Sequence, residues 1–491
     1  MRHLILAPNW LRFLIVVLLV LGVFFRFFNL ENKVYWHDET YTLLRISGYT
    51  AVEAKQQIFN GHVITKEEFA KFQHPNLEKG FGDTIKSLAI EDPQHPPLYY
   101  VIARFWVQIF GNSVTAIRSL SVFISLLIFP CVYWLCRELF KVPLSVPYLI
   151  IALIAISPTQ LIYAQEAREY ILWVVTILLS SASLLRAMRL ESKHQSQRDH
   201  IYNWGIYTTI LVFGFYTSLL NGFVAIVHVI YVLAISRFGW TKTLKSYFIA
   251  LSMAFLVFIP WIFVVIANFK QFQASTAWTT MKIPLLQLIQ SRLLHVSRIF
   301  VDFNLGIDNN LNYLITPTIF IFVGYSIYFL YRTTHPKVWL FLVTLIVLPA
   351  VSFILQDLIF GGVRSISDQY LIPSYLGIQL AVAYTLATQL YNGILSRRKI
   401  WQTILAVIVA GGIVSYGVIS QAHTWWSNIV SYGNPQVAKI INQASRPLLI
   451  SNAFGANYGN IFSLSYLLQP KVRFLLLRTD KINKIPQGYN N

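Results

Sequence analysis

The chain has 491 residues, of which 56% are hydrophobic and only 12% charged, with a net charge of +19. A soluble chain carries about twice that charged fraction. Apolar runs near the spanning length of ~20 residues recur from end to end, which excludes a soluble globular fold. The surplus Lys and Arg fall in short loops between those runs, which points to a positive cytoplasmic face and not to nucleic acid. The runs are continuous and not alternating, which argues against a β-barrel.

Taken in order, the first apolar run (11–30) follows a basic start, Met1-Arg2-His3 and Arg12. It lacks a small-residue cleavage site and reads as a retained first span. Residues 31–112 form a long first external loop holding Asp38, Glu39, Glu67, Glu68, Glu91 and Asp92. The loop ends in a short aromatic run, Leu98 to Phe110, which carries Arg104 and Gln108 and is expected to lie in the interface without crossing. The remaining spans then fall at 115–136, 143–158, 170–188, 201–219, 222–236, 247–267, 312–331, 338–355, 370–391 and 400–420.

With this topology every short basic loop lands on the cytoplasmic side: Arg137 and Lys141; Arg189, Lys193 and Arg198; Arg237, Lys242 and Lys245; Arg332 and Lys337; Arg397, Arg398 and Lys399. The expected fold class is an all-α polytopic membrane protein with about eleven transmembrane helices, forming a domain over 1–423 with interfacial helices in its first external loop. Residues 424–491 differ in kind. Pro447–Ser451 and Val472–Leu477 are too short to span and read as strands, with a helix between them, so a small external α/β segment is expected. Cys131 and Cys136 share one apolar run and imply no disulfide framework. No phosphate-binding glycine loop is present.

Four polar clusters converge on the external face under this topology: Asp38-Glu39, Gln94-His95, Gln165-Glu166-Arg168-Glu169, and Arg364 with Asp368-Gln369-Tyr370. Asp38 and Glu39 would point about 100° apart on a helix end, one as general base and the other as acceptor or orienting group. Solvated loop carboxylates are the ordinary alternative. His95 precedes Pro96-Pro97, which holds it in extended backbone. Gln165 to Tyr170 reads as a helix start on which Gln165 and Arg168 share a face. Arg168 is suited to phosphate through its planar donor fork. Arg364 is a second phosphate candidate, with a pair to Asp357 or Asp368 as its plainer reading. Arg26, near the outer end of the first run, is expected to snorkel or to reach Asp38. His228 reads as a packed histidine.

The pieces Arg26-Phe27-Phe28-Asn29-Leu30, Trp36-His37-Asp38-Glu39, His95-Pro96-Pro97-Leu98-Tyr99, Phe110-Gly111-Asn112-Ser113 with Arg118, Ala164-Gln165-Glu166-Ala167-Arg168 and Asp368-Gln369-Tyr370-Leu371-Ile372-Pro373 occur in this order. Together they resemble the GT-C-fold membrane glycosyltransferases of the protein O-mannosyltransferase and lipid A aminoarabinose transferase group. The resemblance covers about the first 375 residues. It implies a polyprenyl-phosphate-linked sugar donor, used without a nucleotide on the external face of the plasma (inner) membrane. It implies Asp38 as base, Glu39 as its companion near the acceptor, His95 at the donor phosphate, and Gln165, Glu166 and Arg168 lining the site. Relatives often carry Arg before the Tyr of the last motif; here Gln369 stands there, leaving Tyr370 in place and Arg364 as the substitute cation.

The expected chemistry is one inverting displacement, in which Asp38 takes the proton of an acceptor hydroxyl on a lipid, glycan or protein. No cofactor is required, and no metal ligands are assigned, although a divalent metal is compatible with the set. The rival is a multi-pass transporter or lipid flippase, which predicts mid-span charges and paired repeats; the chain shows few of the first and none of the second.

Overall fold

The computed structural model describes residues 8–140, 145–191, 196–391 and 393–478. Met1-Arg2-His3, Lys141 and Lys193 of the basic pattern lie outside them. Helix α1 (Asn9–Phe27) is followed by α2 (His37–Ile46), the helix that carries Asp38. Among the described residues eight helices are long and apolar enough to cross a membrane, and a ninth if one bent pair counts as a single span. The other two expected spans, 201–219 and 222–236, are helical but fall outside that set: Gln197–Thr217 and the shorter Asn221–Ile235. The protein is a multi-pass membrane protein. The expected aromatic run is helix α3 (Leu98–Phe110), and its 13 residues reach only about 20 Å, short of a bilayer core of about 30 Å.

The bent pair is α4 (Ser145–Ala155) and α5 (Pro158–Ala164), angled by 63°. The sequence places the stretch between the spans 143–158 and 170–188 on the external side, whereas Ser157-Pro158 starts a second helix, with proline in the first turn where its missing N–H costs nothing. A break inside a membrane frees carbonyls that have no water to turn to. Here Arg26 supplies the donors, its Nη1 3.0 Å from Ala155 O and its Nη2 3.2 Å from Ile154 O. Tyr416 adds its hydroxyl to Ala155 O at 2.5 Å. Arg26 therefore points inward and is fully buried. It neither snorkels nor pairs with Asp38, because the end of α4 offers it a ring of carbonyls. Gly22 makes the approach feasible: a Cβ there would stand 2.3 Å from Ala155 O.

Helix α6 (Ile372–Gln389) is walled in by the other spans and forms the centre of the bundle. His228 packs between Ser181 and Tyr207. Cys131 and Cys136 are buried free thiols.

Beyond the last span lies a three-stranded sheet in the order β1-β3-β2. Strands β2 (Leu448–Asn452) and β3 (Arg473–Leu477) are parallel and joined through helix α7 (Asn457–Ser465). Strand β1 (Val63–Ile64) comes from the first long loop and pairs antiparallel with β3, Val63 opposite Leu475. The chain's two polar regions thus share one sheet and one core, in which Phe69 meets Phe462 and Phe474 at ring distances of 5.0 and 4.9 Å.

Candidate active site

Trp36 stands at the N-cap of α2, so Asp38 and Glu39 fall in its first turn, where the helix dipole favours carboxylates. The two then diverge. Asp38 is half-buried, and no described residue donates a hydrogen bond to its carboxylate oxygens. Glu39 is sealed. Arg118 binds it through Nε at 2.8 Å and Nη2 at 2.6 Å, and the amide of Ala167 reaches Oε1 at 2.8 Å. Glu39 is therefore no open companion at an acceptor; its oxygens are occupied by the protein. Arg118 uses its remaining donors on the carbonyls of Leu30, Lys33 and Val34.

Residues 165–169 are not the expected helix start. They form the turn between α5 and the helix Tyr170–Glu191, closed by the Arg168 amide on Glu166 O at 2.8 Å. Gln165 leaves the site and caps the end of α1, its Nε2 reaching Phe25 O at 2.8 Å and Phe28 O at 3.1 Å, while its Oε1 accepts from Lys33 Nζ at 2.5 Å. That replaces its expected role of lining the site: the last carbonyls of α1 lack helical partners and draw the amide.

The Glu166 carboxylate takes no hydrogen bond from a described residue. Burial, and then the negative charges of Glu39 and Asp38, push its carboxyl up to about 8. Lys33 is pushed down to about 7 by burial and by the nearby Arg118. Sequence reading missed Lys33, which looked like one more loop lysine; its only signal was the place between the first span and Asp38.

Arg168 is buried, yet poorly satisfied. Its Nη1 lies 3.4 Å from Asp38 O, 3.2 Å from Thr42 Oγ1 and 3.3 Å from Tyr100 Oη, and its Nε has no partner among the described residues. Its Nη2 stands 3.4 Å from both His95 Nε2 and Glu169 Oε1. His95 Nδ1 is 2.9 Å from Glu169 Oε1. One tautomer serves both contacts, with Nδ1–H donating to Glu169 and Nε2 accepting from Arg168. Burial alone would raise the Glu169 carboxyl, but Arg168 and then His95 hold it down at about 2.

The loop before His95 is pinned from two sides. Arg45 of α2 pairs with Glu91 at 2.7 Å and Asp92 at 2.6 Å. Trp261 Nε1 donates to Pro93 O at 3.1 Å, and Ser275 Oγ to Gln94 Oε1 at 2.8 Å. Tyr370, held against Phe353 at a ring distance of 5.3 Å, lies within electrostatic range of Asp38, Arg364, Glu169 and Arg168. The structure thus gathers Asp38, His95, Glu166, Arg168 and Tyr370 around one place, and Glu39 and Gln165 stand behind them. Arg364 is near but engaged: its Nη1 is 3.4 Å from Asp357 and 3.0 Å from Gly361 O, so the plainer reading, a pair with Asp357, is what the structure shows.

A family profile described as dolichyl-phosphate-mannose-protein mannosyltransferase matches residues 94–263. No curated protein matches the chain in sequence. Among solved structures, the chain is similar to the oligosaccharyltransferase of Archaeoglobus fulgidus tethered with an acceptor peptide containing the NVT sequon. That match has a TM-score of 0.55 and 12% identity, and covers 95% of this chain and 64% of that one. ArnT from Cupriavidus metallidurans bound to undecaprenyl phosphate gives a TM-score of 0.55 at 13% identity, over 94% of this chain and 86% of that one. The Archaeoglobus fulgidus enzyme AglB in complex with an inhibitory peptide and a dolichol-phosphate gives 0.53 at 12%, over 94% and 64%. This chain therefore spans just under two thirds of the archaeal enzyme's length. At such identities the likeness concerns the fold, and the chain has the GT-C fold of these membrane glycosyltransferases.

Proposed function

We propose that this chain is a membrane glycosyltransferase. It moves a sugar from a polyprenyl-phosphate donor to an acceptor hydroxyl or phosphate at the external face of the plasma membrane, by one inverting displacement. The observation that carries this reading is the pairing of an unengaged carboxylate with an under-bonded buried cation, Asp38 with Arg168 touching its backbone. The GT-C fold, and the binding of undecaprenyl phosphate and dolichol-phosphate by the structures of similar fold, support the donor class. The basic residues Arg237, Lys242, Arg332, Lys337, Arg397 and Arg398, at span ends where short loops begin, support the external placement of the site and of 424–491.

In the step itself Asp38 takes the acceptor's proton as the acceptor oxygen bonds the anomeric carbon. The bond from that carbon to the phosphate oxygen breaks, and its electron pair leaves on the polyprenyl phosphate. Arg168, oriented by Glu169 and His95, stabilises the charge that grows there, so no general acid is required. Asp38 then returns its proton to water.

Transfer of radiolabelled sugar from polyprenyl phosphate, in membranes carrying the native chain or Asp38→Asn, tests this. Transfer with the native chain and a fall of about 10²-fold or more in the variant is expected. Equal transfer from both would remove Asp38 from the mechanism, and no transfer from either with several donors would favour a transporter.

A further inference from the structure

We propose that the C-terminal segment is part of the catalytic apparatus, because it caps and clamps the helix that carries Asp38. Ser431 and Gly459 are its positioning residues. The inference rests on Asp38 being the base, and it concerns residues beyond the stretch matched by the family profile.

A helix begins with amide groups that have no partner within it, and a polar side chain at the N-cap ordinarily serves them. Helix α2 has Trp36 there, whose indole accepts nothing and makes no side-chain cap. The missing acceptor comes from 394 positions away: the His37 amide donates to Ser431 Oγ at 3.1 Å. The hydroxyl is not free to turn elsewhere. It donates to Asn460 Oδ1 at 3.3 Å, and Asn460 is fixed in turn by Asn434 Nδ2 at 2.9 Å. Ser431 is fully buried, so water cannot replace it.

The same segment grips the helix one turn on. Thr40 Oγ1 shares its proton between His37 O at 2.7 Å and Gly459 O at 3.2 Å, and the rings of Tyr41 and Tyr458 lie 5.7 Å apart. Gly459 sits so close to α2 that a Cβ would stand 2.5 Å from His37 Nδ1 and 2.8 Å from Tyr41 Cε2. Asp38 lies between these two grips. The segment is itself anchored to the connection between the helices Leu285–Arg298 and Asn312–Thr333: Trp425 and Trp426 both donate to Asp302 Oδ2, at 3.1 and 2.7 Å. The base is therefore held on one side by Arg118 through Glu39, and on the other by residues from the far end of the chain.

The test uses the full chain in detergent micelles and three variants: Ser431→Ala, Ser431→Thr and Gly459→Ala. Two readouts separate a positioning role from a general structural one. Hydrogen exchange of peptides covering 34–46 should quicken in Ser431→Ala and Gly459→Ala and be restored in Ser431→Thr, which keeps an acceptor. The turnover number should fall about fivefold or more in the first two variants, the size expected of a lost helix cap. KM for the lipid-linked donor should stay within about twofold, since these residues meet no substrate. Unchanged exchange over 34–46 in both variants would overturn the proposal, as would native turnover alongside quickened exchange. The exchange readout needs no reaction. Quickened exchange in a chain that transfers no sugar would uphold the clamp while removing the glycosyltransferase reading.

Discussion

The guanidinium of Arg118 and the carboxylate of Glu39 face each other in a two-point pair, at 2.8 and 2.6 Å, with both side chains out of reach of water. Three separate pieces of chain meet on it. Arg118 gathers the carbonyls of the linker after α1, and Glu39 takes the amide of Ala167 from the turn bearing Arg168. The pair fixes the distance between the helix bearing Asp38 and the turn bearing Arg168 without touching the Asp38 carboxylate or the Arg168 guanidinium.

Breaking one side of such a pair leaves a buried charge alone, at a cost of about 3–5 kcal/mol. Glu39→Gln and Arg118→Met should each lower the thermal midpoint in detergent and the yield of inserted protein. The double variant should be less damaged than the sum of the two, because no charge is then stranded. Strictly additive losses would show that the pair is not coupled.

Arg168 offers a different expectation, since its guanidinium makes only long contacts and leaves Nε unmatched. A donor phosphate would complete it. Arg168→Lys keeps the charge but loses the planar fork, and transfer should fall about 10²-fold. His95→Gln should cost about tenfold, because it orients Arg168 and shares Glu169 with it. A native rate in Arg168→Lys would place the phosphate elsewhere, with the pair of Arg364 and Asp357 the next place to look.

The sequence displayed the bundle well, because spans are long apolar runs and α2, α3 and the short C-terminal strands carry local patterns. It displayed which polar clusters gather, because the membrane confines them to one face. It could not display which side chains face the substrate. Glu39 and Gln165 sit in the same motifs as Asp38 and Arg168, and only the placement of Arg118 and of the end of α1 turns them inward. Ser431 and Gly459 were illegible for the same reason: their partners lie some 400 positions away, and nothing local marks a serine as another helix's cap. The turn at 165–169 was misread as a helix because the break after α4 is forced by Ser157-Pro158 and sealed by Arg26, a contact between distant spans.

That seal gives a sharp test of the bent span. Gly22→Ala places a methyl 2.3 Å from Ala155 O, where backbone and not a flexible side chain must yield. The variant should insert but unfold at lower temperature, by about 1–3 kcal/mol of overpacking. Gly205→Ala, where a Cβ meets nothing within 4 Å, is the control and should match the native chain. Equal midpoints for both variants would show that α1 and α4 are not packed as closely as found here.

Glu166 supplies the pH dependence. Its carboxyl is pushed up to about 8 from an ordinary 4.5, by burial and then by Glu39 and Asp38. Between those two values the folded chain keeps a proton that the unfolded chain has released. The unfolded state therefore binds fewer protons, and stability declines as pH rises through that window. Below 4.5 both states are protonated and the effect vanishes. Glu166→Gln holds the neutral shape at every pH. Its thermal midpoint in detergent should match the native chain's near pH 4.5 and pull ahead above pH 6 or so. By pH 8 the gap should reach a few kcal/mol, because the carboxyl is shifted by more than three units and one unit of pKa is worth about 1.4 kcal/mol. A gap that is constant with pH would mean that the substitution acts through packing. A native chain more stable than the variant at pH 8 would mean that Glu166 is ionised in the fold, with Lys33 protonated beside it.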